Sequence, residues 1–226
     1  PEFYYKRGGG PMMDMGPYYV TALVQLLGEA KGVMGMTKKS FDQRIITSSP
    51  HSGEVIDVDV DTYLTGNIQF SNGAIAQIFT TFDVYYGFTA QARFEVYGTR
   101  GTLVVPDPNT FGGPVLLLRP EDQAAAPKID PALWRQGAPD FYNGYKEIPL
   151  MFDYCENSRA LGLSDMCKAI RTGRGFRANY QQQHHVLEIL TSFTKSSEQG
   201  GYVPLTTKYT RTAPMQHNPM HGILED

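Results

Sequence analysis

The stretch GGGPMMDMGPYYVTALVQLLG, residues 8–28, organises the rest of the chain, because a glycine triplet runs directly into an apolar helical segment. Within this segment Asp14, Tyr18, Thr21 and Gln25 follow at spacings of four, three and four residues. Such spacing places side chains on one face of a helix. The other positions are nearly all apolar, and a helix that is apolar on almost every side is expected to be buried. A carboxylate and a phenol there need either hydrogen-bond partners or a chemical role.

Asp14 and Tyr18 allow a structural and a functional interpretation. In the structural one, Asp14 accepts hydrogen bonds from free N–H groups near a helix start, and Tyr18 is a core aromatic. Pro17 leaves the helix start open: a helix from Pro11 is kinked at Pro17, whereas a helix that starts at Pro17 leaves Asp14 just before it. Both versions place Asp14 and Tyr18 close together near a helix N-terminus.

The composition excludes several classes of protein. The chain has 226 residues, of which 41% are hydrophobic and 19% charged, and a net charge of −3. These are ordinary values for a soluble globular protein, and no single-sign field points to nucleic acid or to an anionic membrane. The two cysteines, Cys155 and Cys167, are too far apart for a CxxC motif, so we expect free thiols in a reducing cytoplasm. The chain begins at Pro1 without a methionine, and we expect it to be a fragment of a longer protein.

The cleanest strand signal runs from Val58 to Phe70, where apolar and polar residues alternate. The side chains expected on the buried face are Val58, Val60, Thr62, Leu64, Ile68 and Phe70. Ser71-Asn72-Gly73 then predicts a hairpin turn into a partner strand, 74–84. Further strands are expected at 90–97, 102–105 and 115–118, with loops at 106–114 and 120–139. Short turns between strands predict an antiparallel sheet, and the alternation predicts helices on one face only.

The last third of the chain is expected to be helical and then tail-like. Ser164-Asp165 is interpreted as the cap of a helix that runs through Thr172 and stops at Gly173. Asn179 is interpreted as the cap of a longer helix to about Glu198. From about residue 200 to 226 we expect a tail. The fold class is therefore α+β: an open, predominantly antiparallel sheet with helices packed on one face.

Other motifs were tested and rejected as sites. Residues 173–178, GRGFRA, match G-x-G-x-x-A, but that fingerprint must follow a strand, and here it follows a helix. Pro219 interrupts the pair His217 and His221, and of the adjacent His184 and His185 at most one faces inward, in a surface or capping role. Residues 57–61, DVDVD, lack the glycine and glutamate of a calcium loop. We therefore predict no metal site and no nucleotide site of the chain's own.

With those excluded, the opening stretch resembles the GGG-x-x-x-D-x-G-x-H/Y motif of the Gfo/Idh/MocA oxidoreductases. Residues 16–23, GPYYVTAL, are similar to the GPYYLTAL run of a bacterial subgroup of that family. The turn at 98–103 resembles its G-x-x-G-x-L pattern, and residues 163–174 resemble its late D-x-x-x-A-I-x-x-G helix. The resemblance covers nearly the whole chain.

The resemblance implies that residues 1–226 form the C-terminal substrate-binding and oligomerisation domain of a two-domain dehydrogenase. In that family an N-terminal Rossmann domain, absent from this chain, binds NAD or NADP and carries the catalytic lysine in an E-K-P motif. Members oxidise or reduce sugars, polyols and related alcohols by hydride transfer. The exposed sheet face commonly builds dimers or tetramers. A non-catalytic binding or assembly module of the same fold is the alternative.

The resemblance also assigns site residues. Tyr18 takes the place of the usual histidine, as in the glucose–fructose oxidoreductase-like branch, and is expected to move the proton of the substrate hydroxyl, with Asp14 orienting the substrate or the lysine. Thr21 stands where many members have an acidic residue and is expected at the substrate. The remaining expected contacts are Lys6, Arg7 and Arg159 to the substrate, and Gly9 and Gly10 to the cofactor.

Overall fold

The computed structural model describes residues 1–84, 93–126, 128, 144–150 and 157–215. The chain folds into two compact units. The first contains residues 1–87 and 161–214, and the second contains residues 88–160 and 215–226. The helices are α1 Pro11–Asp14, α2 Gly16–Leu27, α3 Pro120–Ala125, α4 Leu161–Thr172 and α5 Tyr180–Gln199, and a 3-10 helix spans Glu2–Tyr5. The strands are β1 Ala30–Lys38, β2 Gln43–Ile45, β3 Val55–Asp57, β4 Tyr63–Phe70, β5 Ile75–Thr81, β6 Phe94–Gly98, β7 Gly101–Val105, β8 Val115–Leu118, β9 Lys146–Ile148 and β10 Val203–Pro204.

The first unit is built on an antiparallel sheet in the order β10-β1-β4-β5. The predicted hairpin between β4 and β5 is confirmed: the Asn72 side chain accepts a hydrogen bond from the N–H of Ala74, and Gly73 takes a φ of +89°. The alternation predicted the buried face well, since Thr62, Leu64, Ile68 and Phe70 are all at most 4% exposed. The β2–β3 pair forms a separate two-stranded ribbon.

The predicted long strand from Val58 is shorter than expected and begins only at Tyr63. The backbone before it bonds elsewhere: the N–H of Val58 donates to Asp42, that of Asp59 to Tyr5, and that of Thr62 to Lys38. These bonds carry the chain from the ribbon back into the sheet. Val58 is nevertheless buried, at 2% exposure, as its place in the alternation predicts.

Helix α5 covers one face of this sheet, and two opposed glycines let it approach closely. Gly35 of β1 and Gly66 of β4 are register partners. A Cβ atom on Gly35 would lie 2.8 Å from Cδ1 of Phe193, which is fully buried on α5. Helix α2 packs against α5 in turn. Because Met34, Met36 and Phe79 on the opposite face stay exposed, the predicted one-sided arrangement is confirmed.

The second unit contains an antiparallel sheet in the order β6-β7-β8-β9. The predicted turn at 98–101 joins β6 to β7. Residues 90–92 of the predicted strand lie outside the described residues. The predicted loop at 120–139 is wrong at its start, where Pro120–Ala125 forms α3. Proline suits the first helical position. The negative charges of Glu121 and Asp122 in the first turn interact favourably with the positive end of the helix dipole.

The late helices confirm one predicted cap and contradict the other. The side chain of Asn179 accepts a hydrogen bond from the N–H of Gln182, and α5 ends at Gly200 in a left-handed conformation. Helix α4, by contrast, begins at Leu161, so Ser164 and Asp165 lie inside it and cap nothing. Asp165 is instead buried against two arginines of the following loop.

The stretch after Gly200 was expected to be a tail, but much of it is packed. Val203–Pro204 pairs with β1 as β10, and Tyr209 is only 4% exposed. Residues 205–214, which we call the C-terminal strap, follow α5 and α2 through a series of hydrogen bonds. None of the helices in the described ranges has both the length and the hydropathy needed to cross a bilayer.

Candidate functional site

The glycine triplet forms a tight loop between the 3-10 helix and α1. The N–H of Gly10 donates to the carbonyl of Tyr4 at 2.6 Å, and the N–H of Gly9 donates to that of Lys6 at 2.8 Å. A Cβ atom on Gly9 would lie 2.5 Å from the carbonyl oxygen of Phe3, and Gly10 has a φ of +91°. Glycine is therefore required at both positions by the packing of the loop itself. Their expected contact with a cofactor stays a prediction.

The helix start combines the two alternatives that Pro17 left open. A short α1 begins at Pro11 and ends at Asp14, Met15 separates the two helices, and α2 begins at Gly16 with Pro17 in its first turn. Gly16 brings this end of α2 against α5, because a Cβ atom there would lie 2.7 Å from Cδ2 of Leu190.

Three members of the polar stripe present side chains that are not bonded. Tyr18 is 47% exposed, and Asp14 and Thr21 are half-buried. Within the described ranges, none of the three side chains makes a hydrogen bond or an ion pair, and no side chain caps either helix. The structural interpretation is therefore wrong for both residues: Tyr18 is not a core aromatic and Asp14 is not a cap. The functional interpretation of the pair stays a prediction.

The fourth member, Gln25, is fully engaged. Its Oε1 accepts hydrogen bonds from Nε2 of Gln182 at 3.1 Å and from the hydroxyl of Tyr209 at 3.2 Å. Its Nε2 donates to the carbonyl of Thr212 at 3.4 Å. The stripe thus divides into an open part near the start of α2 and a bonded part near its end.

The three basic residues expected at the substrate have different surroundings. Lys6 pairs with Asp59 at 3.2 Å and Glu2 at 3.7 Å, and the hydrogen bond that it donates to Asp59 raises its pKa above the usual 10.5. Arg7, next to it, is exposed. Arg159 belongs to the second unit, where its guanidinium lies 5.8 Å above the ring of Phe111. The substrate contacts of all three stay predictions.

No group of three or more His, Cys, Asp or Glu side chains that could hold a metal occurs among the described residues. His185 is buried and structural: its Nε2 accepts from the N–H of Ala30 at 3.0 Å, and its Nδ1 lies 2.7 Å from Oγ1 of Thr207. Cys155, His217 and His221 lie outside the described residues.

The G-x-G-x-x-A match is indeed a loop between α4 and α5, and an ion cluster holds it. Asp165 pairs with Arg174 at 2.8 Å and with Arg177, and the N–H of Arg177 also donates to it. Burial raises the pKa of Asp165, but these bonds outweigh it and leave the pKa below its usual value. Sequence reasoning missed this cluster, because an aspartate near a helix start is more simply interpreted as a cap.

Comparison with known proteins agrees with this fold. Residues 1–104 match the family model described as the GFO/IDH/MocA C-terminal domain. No curated protein matches the chain by sequence.

Solved structures of oxidoreductases share the fold. Levoglucosan dehydrogenase in its apo form is 20% identical, with a TM-score of 0.67 over 92% of this chain and 55% of that one. An NAD binding oxidoreductase from Klebsiella pneumoniae is 16% identical, with a TM-score of 0.63 over 91% and 54%. Aldose-aldose oxidoreductase from Caulobacter crescentus, complexed with glycerol, is 20% identical, with a TM-score of 0.58 over 88% and 48%. Levoglucosan dehydrogenase has also been solved with NADH and L-sorbose.

The chain thus spans about half the length of the structures it resembles. Its mixed α+β architecture with open antiparallel sheets matches theirs. The predicted resemblance is therefore confirmed: residues 1–104 match the C-terminal domain model of the GFO/IDH/MocA family, and the chain shares its fold with solved oxidoreductases.

Proposed function

We propose that this chain is the substrate-side domain of an NAD(P)-dependent oxidoreductase that acts on a sugar, a polyol or a related secondary alcohol. The observation that carries the proposal is the set of accessible, unbonded side chains at the end of α1 and in the first half of α2: Asp14, Tyr18 and Thr21. Accessible polar side chains without protein partners, on an otherwise apolar segment, are free to bind a ligand or a second domain.

In this proposal Tyr18 hydrogen-bonds the substrate hydroxyl and accepts or returns its proton. The phenol of tyrosine has a reference pKa of about 10, so a nearby cation has to favour its ionised form at neutral pH. Asp14 orients the substrate or that cation, and Thr21, Lys6 and Arg7 contact the other hydroxyl groups. Nicotinamide, when bound, supplies or accepts the hydride.

The cofactor, NAD or NADP, is held mainly by an N-terminal Rossmann domain outside this chain. The N–H groups of Gly9 and Gly10 are already donated within their loop. In this proposal the two glycines therefore shape the surface that faces the cofactor, and the phosphates bind elsewhere. The 226-residue chain alone should show no turnover and no NAD(P) binding by calorimetry; micromolar binding would overturn this part of the proposal.

The test is Tyr18→Phe in the complete protein, assayed by nicotinamide absorbance against a panel of sugars and inositols. Loss of a group that transfers a proton should lower turnover by roughly 10²–10⁴-fold. Tyr202→Phe is a matched control, because Tyr202 is 43% exposed and its hydroxyl bonds Gln69 on the sheet. If turnover in Tyr18→Phe equals that of the control, the role of Tyr18 is wrong.

We also propose that the protein is a cytoplasmic homo-oligomer that uses the open face of the first sheet. Met36 of β1, Thr65 of β4 and Phe79 of β5 form a row across this face, since they are successive register partners. Met36 is 74% exposed and Phe79 is 53% exposed. Exposed apolar side chains that lie together on a sheet favour association of protein surfaces.

A non-catalytic binding or assembly module is the second candidate, and Thr21 favours it, because many members of the family have an acidic residue there. The complete gene sequence separates the two candidates. An upstream G-x-G-x-x-G strand–turn–helix together with an E-K-P motif supports the enzyme, and the lack of both supports the module.

A further inference from the structure

Gly16 packs the start of helix α2 against Leu190 of α5, whereas the apolar residues further along α2 lie on several sides. Val20, Leu23 and Val24 are buried, but Leu26 is 47% exposed, and Tyr19, Ala22 and Leu27 are half-buried. Apolar burial is not directional, so a helix with apolar residues on almost every side buries similar area in several rotations. Directional bonds are needed to select one of them.

A buried polar network supplies those bonds near the end of α2. The hydroxyl of Tyr209 donates to Gln25 and accepts from Nε2 of Gln182 at 3.1 Å and from the N–H of Thr212 at 3.3 Å. Gln182 is 3% exposed and Tyr209 is 4% exposed, so breaking this network leaves polar groups unpaired away from water. The network joins α2, α5 and the C-terminal strap at one point.

The strap is itself held firmly beside this point. The N–H of Leu205 donates to the carbonyl of Lys31, and Arg211 donates to that of Leu26 at 3.0 Å. Lys208 pairs with Glu29 at 3.2 Å. Gln25 therefore meets partners whose own positions are fixed, which is what a directional restraint requires.

We propose that Gln25 is a positioning residue: held by Gln182, Tyr209 and Thr212, its amide sets the rotation of α2 and thereby the direction in which Tyr18 presents its hydroxyl. Gln25 lies seven residues after Tyr18, which is two helical turns, so a rotation fixed at one position is transmitted to the other. This inference rests on the proposed function for the meaning of that direction, but the direction itself can be measured without any turnover.

The experiment uses the whole chain labelled with 3-fluorotyrosine and observed by ¹⁹F NMR, with the Tyr18 signal assigned by Tyr18→Phe. Gln25→Met keeps the length of the side chain and removes its amide. Ser196→Ala is the matched control, since it removes a hydrogen bond from Gly35 and one to Gly201, neither of which involves α2. Both variants should lower the melting temperature, and only Gln25→Met should shift or broaden the Tyr18 signal.

Tyr209→Phe is a second variant. It keeps Gln25 but removes the hydroxyl that donates a hydrogen bond to Gln25, and it should change the Tyr18 signal in the same way. If the Tyr18 signal in both variants matches that of the wild type, the positioning role is wrong. In the complete protein, Gln25→Met should lower kcat by about tenfold and change KM by less than about twofold, because misdirection affects the reacting geometry more than binding. Unchanged turnover in Tyr18→Phe would overturn the proposed function, yet it would leave the NMR result to decide the positioning role separately.

Discussion

Three side chains near the C-terminal strap form a hydrogen-bond chain whose direction can be assigned. The Nε2 atom of His185 accepts from the N–H of Ala30, so the ring proton is on Nδ1 and donates to Oγ1 of Thr207. That hydroxyl donates in turn to Glu188. In a protonated imidazole Nε2 also carries a proton and can no longer accept, so the buried N–H of Ala30 would lose its hydrogen-bond partner.

The stability of the protein should therefore fall as the pH drops below about 6.5. Burial lowers the pKa of His185, and the nearby Glu29 and Glu188 only partly oppose this effect. Just below pH 6.5, His185 is therefore protonated in the unfolded chain but neutral in the folded chain. Stability then decreases with falling pH from the unfolded value of 6.5, by at most about 1.4 kcal/mol per pH unit. Urea unfolding of wild type and His185→Gln between pH 7.5 and 5 tests this: their difference should shrink as the pH falls, and a constant difference would contradict it.

Glu188 should contribute in a lower and separate pH window. Partial burial raises its pKa, but the hydroxyl and N–H groups of Thr207 and Thr206 outweigh this and lower the pKa from 4.5 to about 2. Its contribution to stability is present above pH 4.5 and is lost as the pH falls towards 2. Glu188→Gln should lower the free energy of unfolding at pH 7 by about 1–3 kcal/mol. The loss measured at pH 3 by urea unfolding should be smaller, and an equal loss at both pH values would rule out the charge as its cause.

Between elements, the closest packing depends on the opposed glycines of β1 and β4. A Cβ atom on Gly66 would lie 2.2 Å from the carbonyl oxygen of Met34 and 2.7 Å from Cα of Gly35. Both obstacles are backbone atoms, which cannot move aside as a side chain would. Gly66→Ala should therefore lower the free energy of unfolding by about 1–3 kcal/mol or more, as overpacking does.

A second glycine provides the control for that prediction. A Cβ atom on Gly162, in α4, would have no neighbour within 4 Å. Gly162→Ala should be neutral or should stabilise the helix by up to about 1 kcal/mol, because alanine restricts the unfolded chain more than glycine does. Equal urea-unfolding midpoints for Gly66→Ala and the wild type would contradict the close approach of β4 to β1 at Gly66.

The sequence predicted those elements whose signal is local. The alternation from Val58 to Phe70 indicates which side chains are buried. Asn72-Gly73 favours a tight turn, and the side chain of Asn179 can cap a helix, whatever the rest of the chain does. The polar network around Gln25 could not be predicted in this way, because Gln25 and Gln182 are 157 positions apart. The packing at Gly35 and Gly66 could not be predicted either. The sequence shows a glycine in each strand, but it does not show that the two strands pair with these glycines opposite each other.

At the candidate site, the sequence predicted which residues lie on a common helix but not which of them are hydrogen-bonded. The spacing correctly placed Tyr18, Thr21 and Gln25 on one helix, α2, but Asp14 ends α1, before the break at Met15. Nothing in that spacing distinguishes the unbonded Tyr18 from the bonded Gln25, because the difference comes from the strap, nearly 200 residues later in the chain. A periodic pattern thus indicates which side chains share a face, whereas their partners depend on tertiary packing.

For the molecule as a whole, we expect the open face of the first sheet to bind a second copy of the protein. A stable interface buries roughly 800 Å² on each partner and is depleted in charge at its centre. Lysines at Met36 and Phe79 would place two like charges in one row of the open sheet face, and a symmetric dimer would bury this row on both partners. The wild-type chain at micromolar concentration should elute as a dimer or tetramer in light-scattering chromatography, and Met36→Lys with Phe79→Lys should elute as a monomer. Ile170→Lys should not change the mass, since that side chain is 72% exposed and belongs to α4, not to the sheet. A monomeric wild type, or an unchanged mass in the double variant, would exclude this face as the interface.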